Sequence, residues 1–139
     1  MASQSNGGLN LHDDMMESAL IRSIYYGKIS KEHTERLLER HGHEGSFLLR
    51  DSESVQGVYC LCVRQTPYVH TYRICHSSEG WALQVATGKR QQHFRTLDRL
   101  IESYRRGVAS DVITPLTHPL DKTQLQDIRP TTGVVQYGI

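Results

Sequence analysis

Arg50 ends the apolar run Phe47-Leu48-Leu49, and two hydroxyl residues, Ser52 and Ser54, follow it in a short polar stretch. In an extended strand alternate side chains point to opposite faces, which groups Leu48 with Arg50 and Phe47 with Leu49. Arg50 is thereby aimed into the structure rather than at bulk water. A buried guanidinium is costly unless an anion meets it. The hydroxyls of Ser52 and Ser54 and the loop amides, that of Glu53 among them, can donate to the same anion, as backbone nests do. Phosphate suits this set, because a guanidinium fork matches its oxygens in pairs. The same spacing would also serve a structural arginine paired with an internal carboxylate.

Other chemistry finds less support. The three cysteines are Cys60, Cys62 and Cys75. Their odd number, with two of them two residues apart on one expected strand, argues against a disulfide framework and for a reducing compartment. Cys60 and Cys62 lack the Cys-x-x-Cys spacing of a zinc knuckle, and no second pair completes one. They read as small, half-buried strand residues, and no metal or cofactor is expected. A tyrosine phosphatase needs Cys-x5-Arg, so that a thiolate and an arginine meet one phosphate; no cysteine here has arginine six positions on. No Gly-x4-Gly-Lys-Ser/Thr loop is present for nucleotide. The eight histidines are scattered, without neighbours that suggest a triad. No catalysis is expected.

The elements that must position Arg50 fit one domain with tails in a chain of 139 residues. A net charge of +1 gives no case for broad attraction to nucleic acid or membrane. Residues Met1 to Leu11 carry neither a basic n-region nor an apolar h-region, and no apolar run approaches membrane-spanning length. The stretch Met1 to Asn10 reads as disordered. Asp13 or Asp14 is expected to cap a short helix with Met15, Met16, Ala19, Leu20 and Ile24 on one stripe.

Ser30 is a credible N-cap for the next helix, which has Leu37 and Leu38 facing inward and Gly42 as its stop. Strands are expected over Ser46 to Arg50, Val58 to Arg64 and Val69 to Cys75, with Pro67 in the turn between the last two. Trp81 to Ala86 and Gln91 to Phe94 read as further strands. Thr96 can cap a second helix, in which Leu97, Leu100, Ile101 and Tyr104 fall on one face before Gly107. Val112 to Leu116 reads as extended, and the chain from Asp121 as flexible. Helix, antiparallel strands, helix, with no long crossover between parallel strands, gives an α+β fold: a central antiparallel sheet with one helix on each face.

The run Gly45-Ser46-Phe47-Leu48-Leu49-Arg50-Asp51-Ser52-Glu53-Ser54 resembles the phosphotyrosine-binding strand of Src-homology 2 (SH2) domains. The likeness extends from about Tyr26 to Pro119, through the helix entry Tyr26-Gly27-Lys28-Ile29-Ser30. Gly57-Val58-Tyr59-Cys60-Leu61-Cys62-Val63 and Thr71-Tyr72-Arg73 narrow it to the free-standing lymphocyte adaptors of the SLAM-associated protein type. The implied layout is an N-terminal extension over residues 1–24, an SH2 domain over 25–120 and a tail over 121–139. The starting Met1 and the short polar tail suggest a complete small protein.

The resemblance implies a phosphotyrosine pocket of Arg50, Ser52, Glu53, Ser54, Arg73, Lys31 and Cys60. Lys31 stands where the family often has arginine, so it brings charge without the planar fork. Tyr72, Ile101, Tyr104 and Leu116 would line an apolar hole for an aliphatic residue three positions after the phosphotyrosine; plain core packing accounts equally for Ile101. Val69 and Thr71 match positions that contact the peptide on its N-terminal side. The implied ligand is a Thr-x-Tyr-x-x-Val/Ile motif in a receptor tail, bound by some relatives before phosphorylation. Arg95, after Phe94 and with Arg99 one turn on, matches a site that recruits the SH3 domain of a Src-family kinase. A solvated helix start explains that pair as well. Tyr137, in the tail, is a candidate kinase substrate. A cytoplasmic monomer that binds no nucleic acid follows. The competing expectation is a regulatory SH2 module like that of an inositol phosphatase.

Overall fold

The computed structural model describes residues 16, 18–84, 91–106 and 115–128, with backbone only for 126–128. The elements run α1 (Ala19–Ile24), α2 (Lys31–His41), β1 (Ser46–Asp51), β2 (Tyr59–Gln65), β3 (Tyr68–Ser77), β4 (Gly80–Leu83), β5 (His93–Phe94), α3 (Leu97–Arg105), β6 (His118–Pro119) and α4 (Lys122–Ile128). The strands form one six-stranded sheet in the order β5-β4-β3-β2-β1-β6. All neighbours pair antiparallel except β1 and β6, which run parallel with Ser46 opposite His118 and Phe47 opposite Pro119.

Alternation along β1 sorts the molecule into two apolar layers, as its sequence requires. Phe47 and Leu49 join Leu61, Val63, Trp81, Leu100 and Ile101 under α3, while Leu48 joins Leu38, Cys60, Cys62 and Leu120 under α2. The helices therefore cover opposite faces of an α+β sheet. The Ser30 hydroxyl accepts the His33 amide at 3.0 Å to start α2, and the Thr96 hydroxyl accepts the Arg99 amide at 3.1 Å to start α3. At the far end of α2, Gly42 is required by space, since a Cβ there would lie 2.7 Å from the Leu38 carbonyl oxygen. Arg64 on β2 donates to the Gly42 carbonyl at 2.6 Å and fastens that helix end to the sheet.

The N-terminal helix is part of the domain. Ile21 and Ile24 are fully buried, and Met16 and Leu20 pack against the same layer. Its cap is Ser18 rather than Asp13 or Asp14, which lie outside the described residues. The Ser18 hydroxyl accepts the Ile21 amide at 3.3 Å and donates to the Asp98 carboxylate on α3 at 3.0 Å.

The C-terminal half differs from expectation in several elements. The strand after α3 is His118–Pro119; of the stretch Val112 to Leu116, expected to be extended, residues 112–114 lie outside the described residues and Leu116 is buried core. The Thr117 amide donates to the Gly45 carbonyl and the Leu120 amide to the Phe47 carbonyl, so β1 itself selects the register and produces a parallel pair. In the stretch from Asp121, expected to be flexible, Lys122–Ile128 form α4, and 129–139 lie outside the described residues. Leu125 packs on the second layer, and the Lys122 ammonium donates to the Tyr25 carbonyl at 2.9 Å. The strand after Gly80 stops at Leu83, and that before α3 is only His93–Phe94. Gly107 and Tyr137 lie outside the described residues.

Candidate functional site

The segment before α2 and the end of β1 build the site together. The Tyr26 amide donates to the Leu49 carbonyl and the Asp51 amide to the Gly27 carbonyl, both at 2.9 Å, so the segment runs beside β1. Gly27, at a φ of +71°, then turns the chain into α2 in a conformation that favours glycine. The result sets the first turn of α2 beside the loop that follows Asp51.

Arg50 is 4 % exposed. Its Nη1 donates to the Asp51 carbonyl at 3.1 Å, and its buried Nε has no hydrogen-bond partner. No carboxylate pairs with it among the described residues. An unsatisfied buried donor costs about 1–3 kcal/mol, more when charged, so the site is poised for an acceptor from outside.

Two neighbouring strands complete the floor. Cys60 stands in register with Arg50 on one side and with Arg73 on the other, so all three share one sheet face. Cys60 and Cys62 are buried rather than half-buried, at 4 % and 0 % exposure. Burial pushes the Cys60 thiol up, against the pull of Arg50, Arg73 and the Ser52 hydroxyl. Burial likewise pushes Cys62 up to about 11, with Arg50 pulling the other way. Both thiols are held toward their neutral form, so neither offers the arginines a counter-charge. The Cys62 sulfur lies 3.8 Å from the Thr71 hydroxyl, which fixes Thr71 on this face.

The loop Ser52 to Val58 folds over the end of β1. The Ser52 amide donates to the Val58 carbonyl at 2.9 Å, and the Ser52 hydroxyl oxygen accepts the amides of Ser54 and Val55 at 3.3 and 3.1 Å. Arg73 Nη2 donates to the Ser54 hydroxyl at 3.3 Å, joining β3 to the loop. Glu53 contributes more than an amide: its carboxylate accepts the Lys31 backbone amide, at the first residue of α2, at 3.2 Å. Nothing in the spacing of the sequence reveals that reach. The Lys31 side chain is exposed.

A cleft of about 770 Å³ opens at the same loop, lined among others by Tyr25, Lys28, Ser52, Glu53, Ser54 and Tyr59, with Arg50, Cys60 and Arg73 outside its lining. Tyr25 donates its hydroxyl to Asp51 at 2.6 Å, and burial together with that carboxylate pushes the phenol well above its ordinary range. This pair ties the root of the loop to the segment before α2, and alternation gave no sign of it.

The remaining candidates fall in two further places. Tyr72 lies on the opposite face from Thr71 and Arg73 and packs against the α3 layer. Ile101, Tyr104 and Leu116 join it there, at 0 %, 5 % and 3 % exposure, as core side chains. Residues 107–111 lie outside the described residues. Val69, half-buried against the α2 layer, and exposed Thr71 line β3 beside the anion site. Arg95 and Arg99 are both exposed at the start of α3. Arg99 also borders a shallow cleft of about 330 Å³ with Phe94, Glu102, Ser103 and Arg106.

Among the described residues no helix is long and apolar enough to cross a membrane, and no group of three or more histidine, cysteine or acidic side chains is placed to hold a metal ion.

Residues 24–104 match the family model of the SH2 domain. The chain is 39 % identical over 100 residues to the Homo sapiens protein SH2 domain-containing protein 1B, covering 71 % of this chain and 75 % of that one. It is 40 % identical over 102 residues to Danio rerio phosphatidylinositol 3,4,5-trisphosphate 5-phosphatase 2A, covering 73 % of this chain and 8 % of that protein. To the Homo sapiens phosphatidylinositol 3,4,5-trisphosphate 5-phosphatase 2 the identity is 46 % over 83 residues, covering 59 % of this chain and 7 % of the phosphatase. The chain thus spans under a tenth of these phosphatases and three quarters of the shorter relative.

Proposed function

We propose, from the premise that this chain belongs to the SH2 domain family, that it is a non-catalytic adaptor that binds phosphotyrosine in receptor tails. One observation carries the reading: Arg50 is 4 % exposed with an unpartnered Nε, on the same sheet face as Arg73 and at the root of the loop that carries Ser52 and Ser54. A phosphotyrosine brings a charge near −2 and three acceptor oxygens. Arg50 supplies the fork from below, Ser52 and the Glu53 amide donate from the loop, and Arg73 flanks the group from β3. Lys31 adds charge from the start of α2.

The fuller reading is docking on Thr-x-Tyr-x-x-Val/Ile motifs in the cytoplasmic tails of SLAM-type immune receptors. Val69 and Thr71 then meet the peptide before its tyrosine, and the apolar side chain three residues after it lies toward Tyr72. Arg95 and Arg99 take the SH3 domain of a Src-family kinase; without that recruitment the protein acts by excluding other SH2 proteins. The likeness to human SH2 domain-containing protein 1B over three quarters of its length supports the adaptor reading. The equal likeness to inositol phosphatases supports the second, a regulatory SH2 module of that kind. Titration with a Thr-x-phosphoTyr-x-x-Val peptide, and with the same peptide carrying Ala at the threonine, tests the fuller reading. Weaker binding of the Ala peptide is expected; equal binding of both contradicts docking on the SLAM-type motif and leaves a general phosphotyrosine reader.

A further inference from the structure

His43, in the turn between α2 and β1, and His118, on the edge strand β6, meet with ring centres 5.2 Å apart and planes tilted by 51°. The backbone holds both through one residue. The His43 amide donates to the Ser46 hydroxyl at 2.7 Å and the Ser46 amide to the His43 carbonyl at 2.9 Å, and buried Ser46 is also the residue in register with His118. The tautomer of His118 is fixed as well. The Thr117 hydroxyl gives its one proton to the Glu44 carbonyl at 2.8 Å, so its 2.7 Å contact with His118 Nδ1 requires that nitrogen to be the donor. The lone pair of the neutral ring then lies on Nε2. Both rings are exposed, and neither pairs with a carboxylate among the described residues. The Glu44 carboxylate, in the same turn, is taken by the Thr66 amide at 3.0 Å.

We propose that His43 and His118 form a zinc-binding site in which the two imidazoles are the protein ligands and water completes the tetrahedron. Zinc–imidazole bonds of about 2 Å put each ring centre about 3 Å from the ion, so two rings on one tetrahedral zinc stand about 5 Å apart. The observed separation is of that size, and exposed rings can turn to aim their nitrogens at one point. Imidazole suits zinc, and a ligating histidine ordinarily donates its other ring N–H to an oxygen that fixes the tautomer. The relay from His118 Nδ1 through the Thr117 hydroxyl to the Glu44 carbonyl is such a support. The site lies by Ser46, at the opposite end of β1 from Arg50, and stands independently of the phosphate reading. A zinc held by both residues clamps β6, and with it the entry to α4, onto the corner before β1.

Calorimetric titration of the full chain with zinc chloride, near neutral pH in a non-chelating buffer, tests the assignment. A binding step of one zinc per chain is expected, and it should be lost in His43→Ala and in His118→Ala. Thr117→Val keeps both ligands and removes the hydroxyl that fixes the tautomer; it should weaken zinc binding by about 10–100-fold. Zinc should raise the thermal midpoint of the unaltered chain and not that of either histidine variant, because only the folded chain brings the two rings together. Nitrogen-15 shifts of the imidazoles need no substitution: they should show His118 protonated on Nδ1 before zinc, and zinc should move the ring signals of His43 and His118. Absence of zinc binding by the unaltered chain, a binding step that persists in both histidine variants, or ring signals of His43 and His118 that zinc does not move overturns the proposal.

Discussion

Arg50 and Arg73 stand two strands apart on one sheet face with Cys60 in register between them. The spacing is fixed by backbone pairing, not by the side chains themselves, so both cations are in place before any ligand arrives. They differ in burial: Arg50 is almost wholly enclosed, whereas Arg73 is exposed and reaches the loop through Ser54.

That difference orders their contributions. An exposed charge is screened and returns little, on the order of 1 kcal/mol. Arg73→Ala should weaken phosphopeptide binding by about that amount, and the loss should shrink as salt is raised. Titration at two ionic strengths reads this directly. A loss as large as that from the Arg50 substitution would mean that Arg73 carries the phosphate.

The helix before the sheet should behave as core. Ile21 is fully buried under α3, and removal of such a side chain costs about 2–5 kcal/mol. Ile21→Ala should lower the denaturation midpoint accordingly. Ser18→Ala, which loses the cap and the tie to Asp98, should cost about 0.5–2 kcal/mol. Chemical denaturation of both variants is the check. Unchanged midpoints would make α1 an appendage.

Base should destabilise the fold. Burial raises the thiols of Cys60 and Cys62 and the phenols of Tyr25, Tyr26, Tyr59 and Tyr104 above their ordinary ranges. Each group then loses its proton more readily in the unfolded chain than in the folded one. The stability this represents is complete below the unfolded thiol value, about 8.5, and declines as pH rises past the phenol value, about 10, toward the folded values. Denaturation midpoints measured from about pH 8 to about pH 11 should fall steadily. A flat or rising profile would contradict the burial of these groups.

The basic start of α3 should act independently of the pocket. Arg95, just before α3, and Arg99, in its first turn, are exposed, and α3 covers the sheet face opposite Arg50. Arg95→Ala should leave phosphopeptide affinity unchanged and abolish capture by the SH3 domain of a Src-family kinase in a pull-down. Retained capture would remove Arg95 from that role.

Much of this architecture was legible in the sequence because period-two alternation decides it. Leu48 and Arg50 share a face, Phe47 and Leu49 the other, and Tyr72 opposes Thr71 and Arg73, all from spacing alone. The caps at Ser30 and Thr96 were legible for a local reason: each hydroxyl needs only an amide three residues on. What could not be read was decided by distant partners. Ser18 caps α1 because Asp98, eighty residues away, takes its proton. His118–Pro119 pairs with β1 through amides on either side of a two-residue strand too short to carry a pattern. The Tyr25–Asp51 bond and the reach of Glu53 to Lys31 depend on how the segment before α2 meets β1. Cys60 and Cys62 were read as half-buried because a strand alone does not show that α2 covers it.

The central claim is that Arg50 is the buried partner of a phosphate. Calorimetric titration of one phosphotyrosine peptide against the unaltered chain and against Arg50→Ala tests it most directly. The unaltered chain should bind at micromolar Kd or tighter, about −8 kcal/mol or better, and the substitution should cost about 2–5 kcal/mol while the fold stays intact by circular dichroism. Equal affinity of the two proteins for the phosphopeptide would contradict the account and move the anion site elsewhere.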